Sequence, residues 1–166
     1  MDGSDEEAIE RELAQLASRP APERAEFLAA LGWSRLGRPT PGLEPFLDDS
    51  DPQVRIAAAQ AVRQTGQDDK VLDRLVGVLV EELCGGDEDT ALMAGTALVN
   101  MEDAAVAPLI RQFVDRGEKD PLIVRVLGEI AGEEAMSFLR DASRSTNADV
   151  VREASAALEA IEKEGL

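Results

Sequence analysis

The sequence predicts an all-α fold assembled from short helical hairpins, and three observations predict it. Aromatic residues are confined to Phe27, Trp33, Phe46, Phe113 and Phe138, which leaves little for a β-sheet to build on. Alanine, the strongest helix former, gathers in AAAQA, ALMAGTA and REASAALEA. Apolar residues recur at spacings of three and four, so each helix has an apolar stripe rather than an apolar circumference. Each therefore needs a partner on that side.

Punctuation divides the chain into ten segments. The first, near 5–17, puts Ile9, Leu13 and Leu16 on one stripe. The second, near 22–34, has Pro22 ahead of an acidic first turn and carries Phe27, Ala30 and Leu31. A proline-bearing loop at 37–42 leads to a short helix near 42–48. Pro52 follows Ser50-Asp51 and opens 52–65 as the first helical residue behind an Asp cap. The segment 68–83 aligns Leu72, Leu75, Val76, Leu79 and Leu83, and 88–100 follows it. Val106, Leu109, Ile110 and Phe113 make the stripe of 104–115. Pro121 behind Asp120 opens 121–131 in the same way as Pro52. Ala135, Phe138, Leu139 and Ala142 mark 133–143, and the last helix runs over 147–163. Gly37, Gly66, Gly117 and Gly132 fall just after periodic stretches, where a left-handed C-cap is wanted.

Superimposing the second helix of each pair exposes a repeat. Val54, Ala58, Ala61 and Val62 stand at relative positions 0, 4, 7 and 8. Ala94, Ala97, Leu98 and Met101 take positions 4, 7, 8 and 11 of the next helix. Ile123, Val126, Leu127 and Ile130 do the same, as do Val150, Ala154, Ala157, Leu158 and Ile161. The anchor at position 8 runs Leu31, Val62, Leu98, Leu127, Leu158, in steps of 31, 36, 29 and 31 residues. An interval of this size marks stacked helical hairpins, here units near 5–37, 38–66, 67–101, 102–132 and 133–163 within one domain over 1–166.

Residues 41–66, PGLEPFLDDSDPQVRIAAAQAVRQTG, resemble a HEAT repeat of the short bacterial kind noted in phycobilisome-lyase-like proteins. The likeness lies in an early proline, the Leu-Asp-Asp end, the Asp-Pro turn, and the Val-Arg that starts an alanine-rich second helix. APLIRQFV with VRVLGEIAG, and FLRDA with DVVREASAALEAI, resemble it again. The pair at 68–101 lacks the Val-Arg, and the first pair matches in periodicity alone. The resemblance implies a right-handed α-solenoid of about five HEAT-like hairpins. It also implies structural hydrogen bonding by the turn residues Asp51 with Arg55 and Asp149 with Arg152. The polar DEEAIERE suits a terminal cap.

Chemistry is harder to find. There is no His, so the usual base for a nucleophile and the usual zinc set are missing. Cys84 ends an apolar stripe ahead of Gly85-Gly86 and reads as a core or helix-end thiol. No phosphate-binding glycine motif occurs. Asp48, Asp49 and Asp51, and Asp87, Glu88 and Asp89, are candidate calcium clusters, but they lack the alternating loop and distant Glu and sit where acids cap helices. The expectation is therefore no catalytic residue, no metal and no cofactor.

The 34 acids against 17 bases give a net charge of −17, which opposes a nucleic-acid partner. No apolar run is long enough to span a membrane. The acidic N-terminus lacks the layout of a secretory signal, so a cytoplasmic monomer is expected. Only three of the bases, Lys70, Lys119 and Lys163, are lysines, in keeping with either salt adaptation or attraction of a basic partner. Positions 2, 6 and 9 of the second helices point away from the core stripe. Ile56, Gln60, Arg63, Leu92, Thr96, Val99, Arg125 and Arg152 stand among them as the candidate partner-binding surface. This would be an apolar groove with basic accents, suited to an acidic-hydrophobic peptide and tested by Ile56→Asp and Val99→Asp. The expected function is a non-enzymatic protein-binding module or assembly scaffold. The alternatives are a bilin-lyase-like or chaperone role, implied by the resemblance, and an acidic mimic of nucleic acid.

Overall fold

The computed structural model describes residues 3–66 and 71–164. All regular structure among them is helical: α1 (Gly3–Leu16), α2 (Ala21–Ser34), a short 3-10 helix (Glu44–Asp48), α3 (Pro52–Gln64), α4 (Leu72–Gly85), α5 (Glu88–Val99), α6 (Asp103–Asp115), α7 (Pro121–Ile130), α8 (Glu133–Ala142) and α9 (Ala148–Glu164). The expected 42–48 helix is a 3-10 turn. The start of the expected 68–83 helix, at 68–70, lies outside the described residues. The chain divides into two compact units, Met1–Val71 and Leu72–Leu166.

In the first unit α2 packs against α3, and α3 against the 3-10 helix. Leu28, Leu43, Leu47, Val54, Ala58 and Val62 form its centre, joined by Leu13 and Leu16 of α1. Gly32 lets α2 and α3 cross closely, because a Cβ there would stand 2.9 Å from Ala61 Cα. Beyond the crossing, the Gly37 amide donates to the Gln64 carbonyl over 2.8 Å, tying together the two helix ends. Ala30, aligned by periodicity with the core alanines, is instead exposed.

In the second unit the helices form two layers. In one, α4 packs against α6 and α6 against α8; in the other, α5 packs against α7 and α7 against α9. The layers join through α4 with α5, α6 with α7, and α8 with α9. Leu79, Leu98, Leu109, Ile123, Leu127 and Leu139 are fully buried between them. Phe113 and Phe138 meet edge to face, with ring centroids 5.2 Å apart, and lock α6 to α8. Leu158, the last member of the position-8 series, is only half-buried. Helices α7 and α9 also approach closely, since a Cβ on Gly128 would lie 2.5 Å from Ala157 Cβ.

The turns follow the expected capping chemistry at some places and depart from it at others. Asp51 accepts from the amides of Gln53 (2.9 Å) and Val54 (3.3 Å), capping α3 ahead of Pro52. Pro121 likewise opens α7, but Asp120 makes no cap bond; its carboxylate is taken by Arg116 at 2.7 Å. The α9 cap is Asn147, which receives the amides of Asp149 and Val150. Asp149 pairs with Arg152 at 2.7 Å, as the repeat resemblance implies, and Arg55 donates to the Asp49 carbonyl at 2.5 Å. Gly132 is not a left-handed cap. Ala131 adopts that conformation (φ 55°), while Gly132 begins α8 where a Cβ would strike Asp103 Oδ1. At φ −70° it uses none of its dihedral freedom, and a Cβ would meet only the movable end of the exposed Asp103 side chain.

Candidate functional site

The eight candidate partner-binding residues divide between the two units. In the first, Ile56 is 1% exposed and belongs to the core, which corrects its placement on an open surface. The cause is local. Helix α3 is covered by α2 on one side and by the 3-10 helix on another, so burial extends from Val54 and Ala58 round to Ile56 and Ala59. Gln60 is half-buried, and Arg63 is exposed in the last turn, where a cation favours the helix dipole.

In the second unit the expectation fares differently. Leu92 is 69% exposed, Thr96, Arg125 and Arg152 are exposed, and Val99 is half-buried. Two depressions run along this face. The first, of about 360 Å³, lies between α5 and α7 over Leu83, Gly95 and Val126, with Leu92 and Leu122 at its sides. The second, of about 510 Å³, is floored by Gly128, Ala156, Ala157 and Ala160 and bordered by Val99. Arg125 and Glu129 line both, so the two adjoin along α5, α7 and α9. Leu92, Thr96, Val99 and Arg125 are thus brought together. Arg152 lies beside the strip, and Ile56, Gln60 and Arg63 belong to the other unit.

The small residues explain why a depression exists at all. Gly95 on α5 leaves a side chain's worth of space above Leu83 and Val126, with an imagined Cβ 3.5 Å and 4.0 Å from them. The alanines of α9 keep the second floor low, and Gly128 lets α9 approach α7 beneath it.

The electrostatics reverse one expectation. Arg125 donates through Nε and Nη2 to the two carboxylate oxygens of Glu153, each at 3.1 Å. This fork is the first cause of a lowered Glu153 pKa and a raised Arg125 pKa. Glu129 also acts on Arg125. Arg152 is held by Asp149 and reaches Glu153 at 3.7 Å. The basic accents expected of the groove are therefore already engaged by carboxylates of the same surface. Charged side chains lining the two depressions are Glu88, Glu129 and Glu153 against Arg125. The strip is acidic.

Sequence reasoning passed over Gly95, Glu129 and Glu153. Glu88 was legible as a candidate calcium ligand and as a helix-start acid, and the second role fits its place behind the Asp87 cap. Glu129 stands four residues after Arg125 and was legible as its neighbour on one helix face. Glu153 is 28 residues from Arg125, and no local signal joins them.

Other groups have structural uses. Asp49 is paired with Arg24 at 2.6 Å, and Asp87 caps α5 by accepting from the Thr90 amide at 2.9 Å. Among the described residues no cluster of three or more metal-ligating side chains occurs. Cys84 is half-buried; burial first, and the Asp120 carboxylate next, push its thiol up to about 11. In the first unit a further depression of about 520 Å³ lies between Leu13 and Ala14 of α1 and Pro45 and Phe46 of the 3-10 helix. No described helix is long and apolar enough to cross a membrane. Comparison with known proteins returns no match of any kind: no family model, no curated protein and no solved structure matches this chain.

Proposed function

We propose that this chain is a non-enzymatic protein-interaction module or assembly scaffold, a right-handed α-solenoid of HEAT-like hairpins that holds a peptide or protein segment on its second helices. One observation carries the reading: two adjoining depressions over α5, α7 and α9, with Leu92 standing 69% exposed beside the first. A concave, partly apolar surface with a few charged groups at its rim is where a ligand segment would find a seat. The solenoid reading is supported in the second unit by the two layers, in which first helices pack on first helices and second on second. Preformed helices would accept a ligand with little rearrangement.

The bilin-lyase-like alternative requires a nucleophilic thiolate. Cys84 is the only cysteine, and its thiol is protonated at neutral pH with Asp120 opposing ionisation. That observation weighs for binding rather than chemistry.

The test is site-specific photo-crosslinking in a lysate of the source cells. A photo-reactive residue replacing Leu92 is expected to capture a defined partner, and one replacing the exposed Ser137 on α8 is not. Capture must disappear in a Val99→Asp background that keeps its helical circular dichroism. Equal labelling from both positions would overturn the reading.

A further inference from the structure

Resting on the interaction reading above, we propose that the occupant of the α5–α7 depression is a basic amphipathic helix of a protein partner, seated with one apolar side chain over Gly95 and its cations against Glu88 and Glu129. Three features lead there. The first is the charge count, in which Glu88, Glu129 and Glu153 face Arg125 alone. The second is that Arg125 is already committed. An acidic ligand could use it only by pulling its fork away from Glu153, whose side chain is 16% exposed, leaving that carboxylate the 3.7 Å contact with Arg152 in place of two hydrogen bonds. A basic ligand leaves the fork intact and neutralises the two remaining rim carboxylates. The third is shape. The space above Gly95 lies over Leu83 and Val126 with Leu92 beside it, an apolar seat for a single branched side chain.

A helix fits better than an extended peptide. No strand occurs among the described residues, so there is no sheet edge for an extended segment to join. The second depression adjoins the first at Arg125 and Glu129, so a helix seated in the first could set a further anchor there. The net charge of −17 would steer a cationic segment towards the chain as a whole, and the apolar seat would fix where it stops.

The experiment uses two labelled helical peptides of 18 residues, about five turns, with leucines at identical positions and either lysine or glutamate elsewhere. Amide shifts of the full chain are followed by NMR alongside fluorescence titration. The lysine peptide is expected to bind, with shifts concentrated at Leu92, Gly95, Thr96 and Arg125. Glu88→Gln with Glu129→Gln should weaken it about tenfold, as two rim charges of ordinary strength would. Glu133→Gln with Glu134→Gln on α8 should leave it unchanged. Gly95→Leu should abolish binding by filling the seat; Gly95→Ala, whose Cβ has room, should weaken it and keep the fold even where leucine does not. Shifts spread over all acidic surfaces, or indifference to both Gly95 variants, would overturn the proposal. So would the absence of any lysine-peptide binding. If the glutamate peptide shifts the same amides instead, the basic ligand is wrong and the groove reading stands. If neither peptide acts and Leu92 captures nothing, both fall.

Discussion

Arg24 on α2 and Asp49 beyond the 3-10 helix are 25 residues apart in sequence and meet at 2.6 Å, each side chain 12% exposed. Arg24 also donates through Nη1 to the Arg19 carbonyl at 2.7 Å. Asp49 in turn accepts the Asp51 amide at 2.9 Å, which sets up the cap of α3. The pair therefore joins the first turn of α2 to the turn between the 3-10 helix and α3. Removing one partner strands the other in a nearly dry place. Asp49→Ala is expected to destabilise the chain by about 3 kcal/mol, and Arg24→Ala by a similar amount. Urea unfolding followed by circular dichroism measures both, and the double variant should cost less than the two single effects together.

Acid should act through a small set of carboxylates. Burial alone would raise Asp49, but the hydrogen bonds from Arg24 and the Asp51 amide and the charges of Arg24 and Arg55 outweigh it and hold it below 3.8. The Thr90 amide holds Asp87 down, and the Arg125 fork holds Glu153 below 4.5. Each folded-state value is depressed, so the stability these groups contribute is complete above the ordinary carboxylate range. It is lost as pH falls through the folded values. Urea midpoints should hold steady from pH 7 to about pH 5 and fall below about pH 4. Asp49→Asn with Glu153→Gln should flatten that fall.

The Cys84 thiol should be slow. With its value at about 11 in place of 9.0, the thiolate fraction at pH 8 is about a hundredfold below that of a free cysteine. Iodoacetamide labelling of the folded chain is expected to lag by that factor and to recover in 8 M urea. Asp120→Asn should speed it, because the carboxylate is the second cause of the rise.

Ile56→Asp should unfold the first unit rather than disable a surface. Its side chain is 1% exposed, and a carboxylate there would be buried without a partner. A loss of helical signal separates it from Leu92→Asp, which should keep the signal because Leu92 faces solvent.

Two glycines should respond in opposite directions. Gly95→Ala adds a Cβ with ordinary contacts and removes a poor helix former, and is expected to raise stability by up to about 1 kcal/mol. Gly128→Ala forces a Cβ to 2.5 Å from Ala157 and should cost about 1–3 kcal/mol. Thermal melts distinguish them, and Ala157→Gly should restore the second.

The helices were legible in the sequence because their signals are local. Apolar spacing, Asp-Pro starts and glycine stops each act within a few residues, and the observed elements follow them closely. Ile56 was misplaced because periodicity reports one stripe, and α3 is covered on two sides by elements distant in sequence. Asp120 was misread as a cap because Arg116, one turn back, competes for the same carboxylate. The candidate strip was legible in its apolar half. Leu92, Thr96 and Val99 came from helical phase alone. Its charge was not, since the sign of a groove depends on which arginines are already held, and Arg125 meets Glu153 across 28 residues.

The contact of Gly128 with Ala157 makes the strip adjustable from below. The gap between α7 and α9 is set by a position without a side chain, so it works as a spacer whose thickness changes in steps of one methyl group. A methyl gained on one helix and lost from the other would tilt or widen the floor and leave Leu92, Glu88, Glu129 and Glu153 as they are. A lineage, or a designer, could retune which ligand fits by trading carbon atoms between two residues, with the rim chemistry inherited intact.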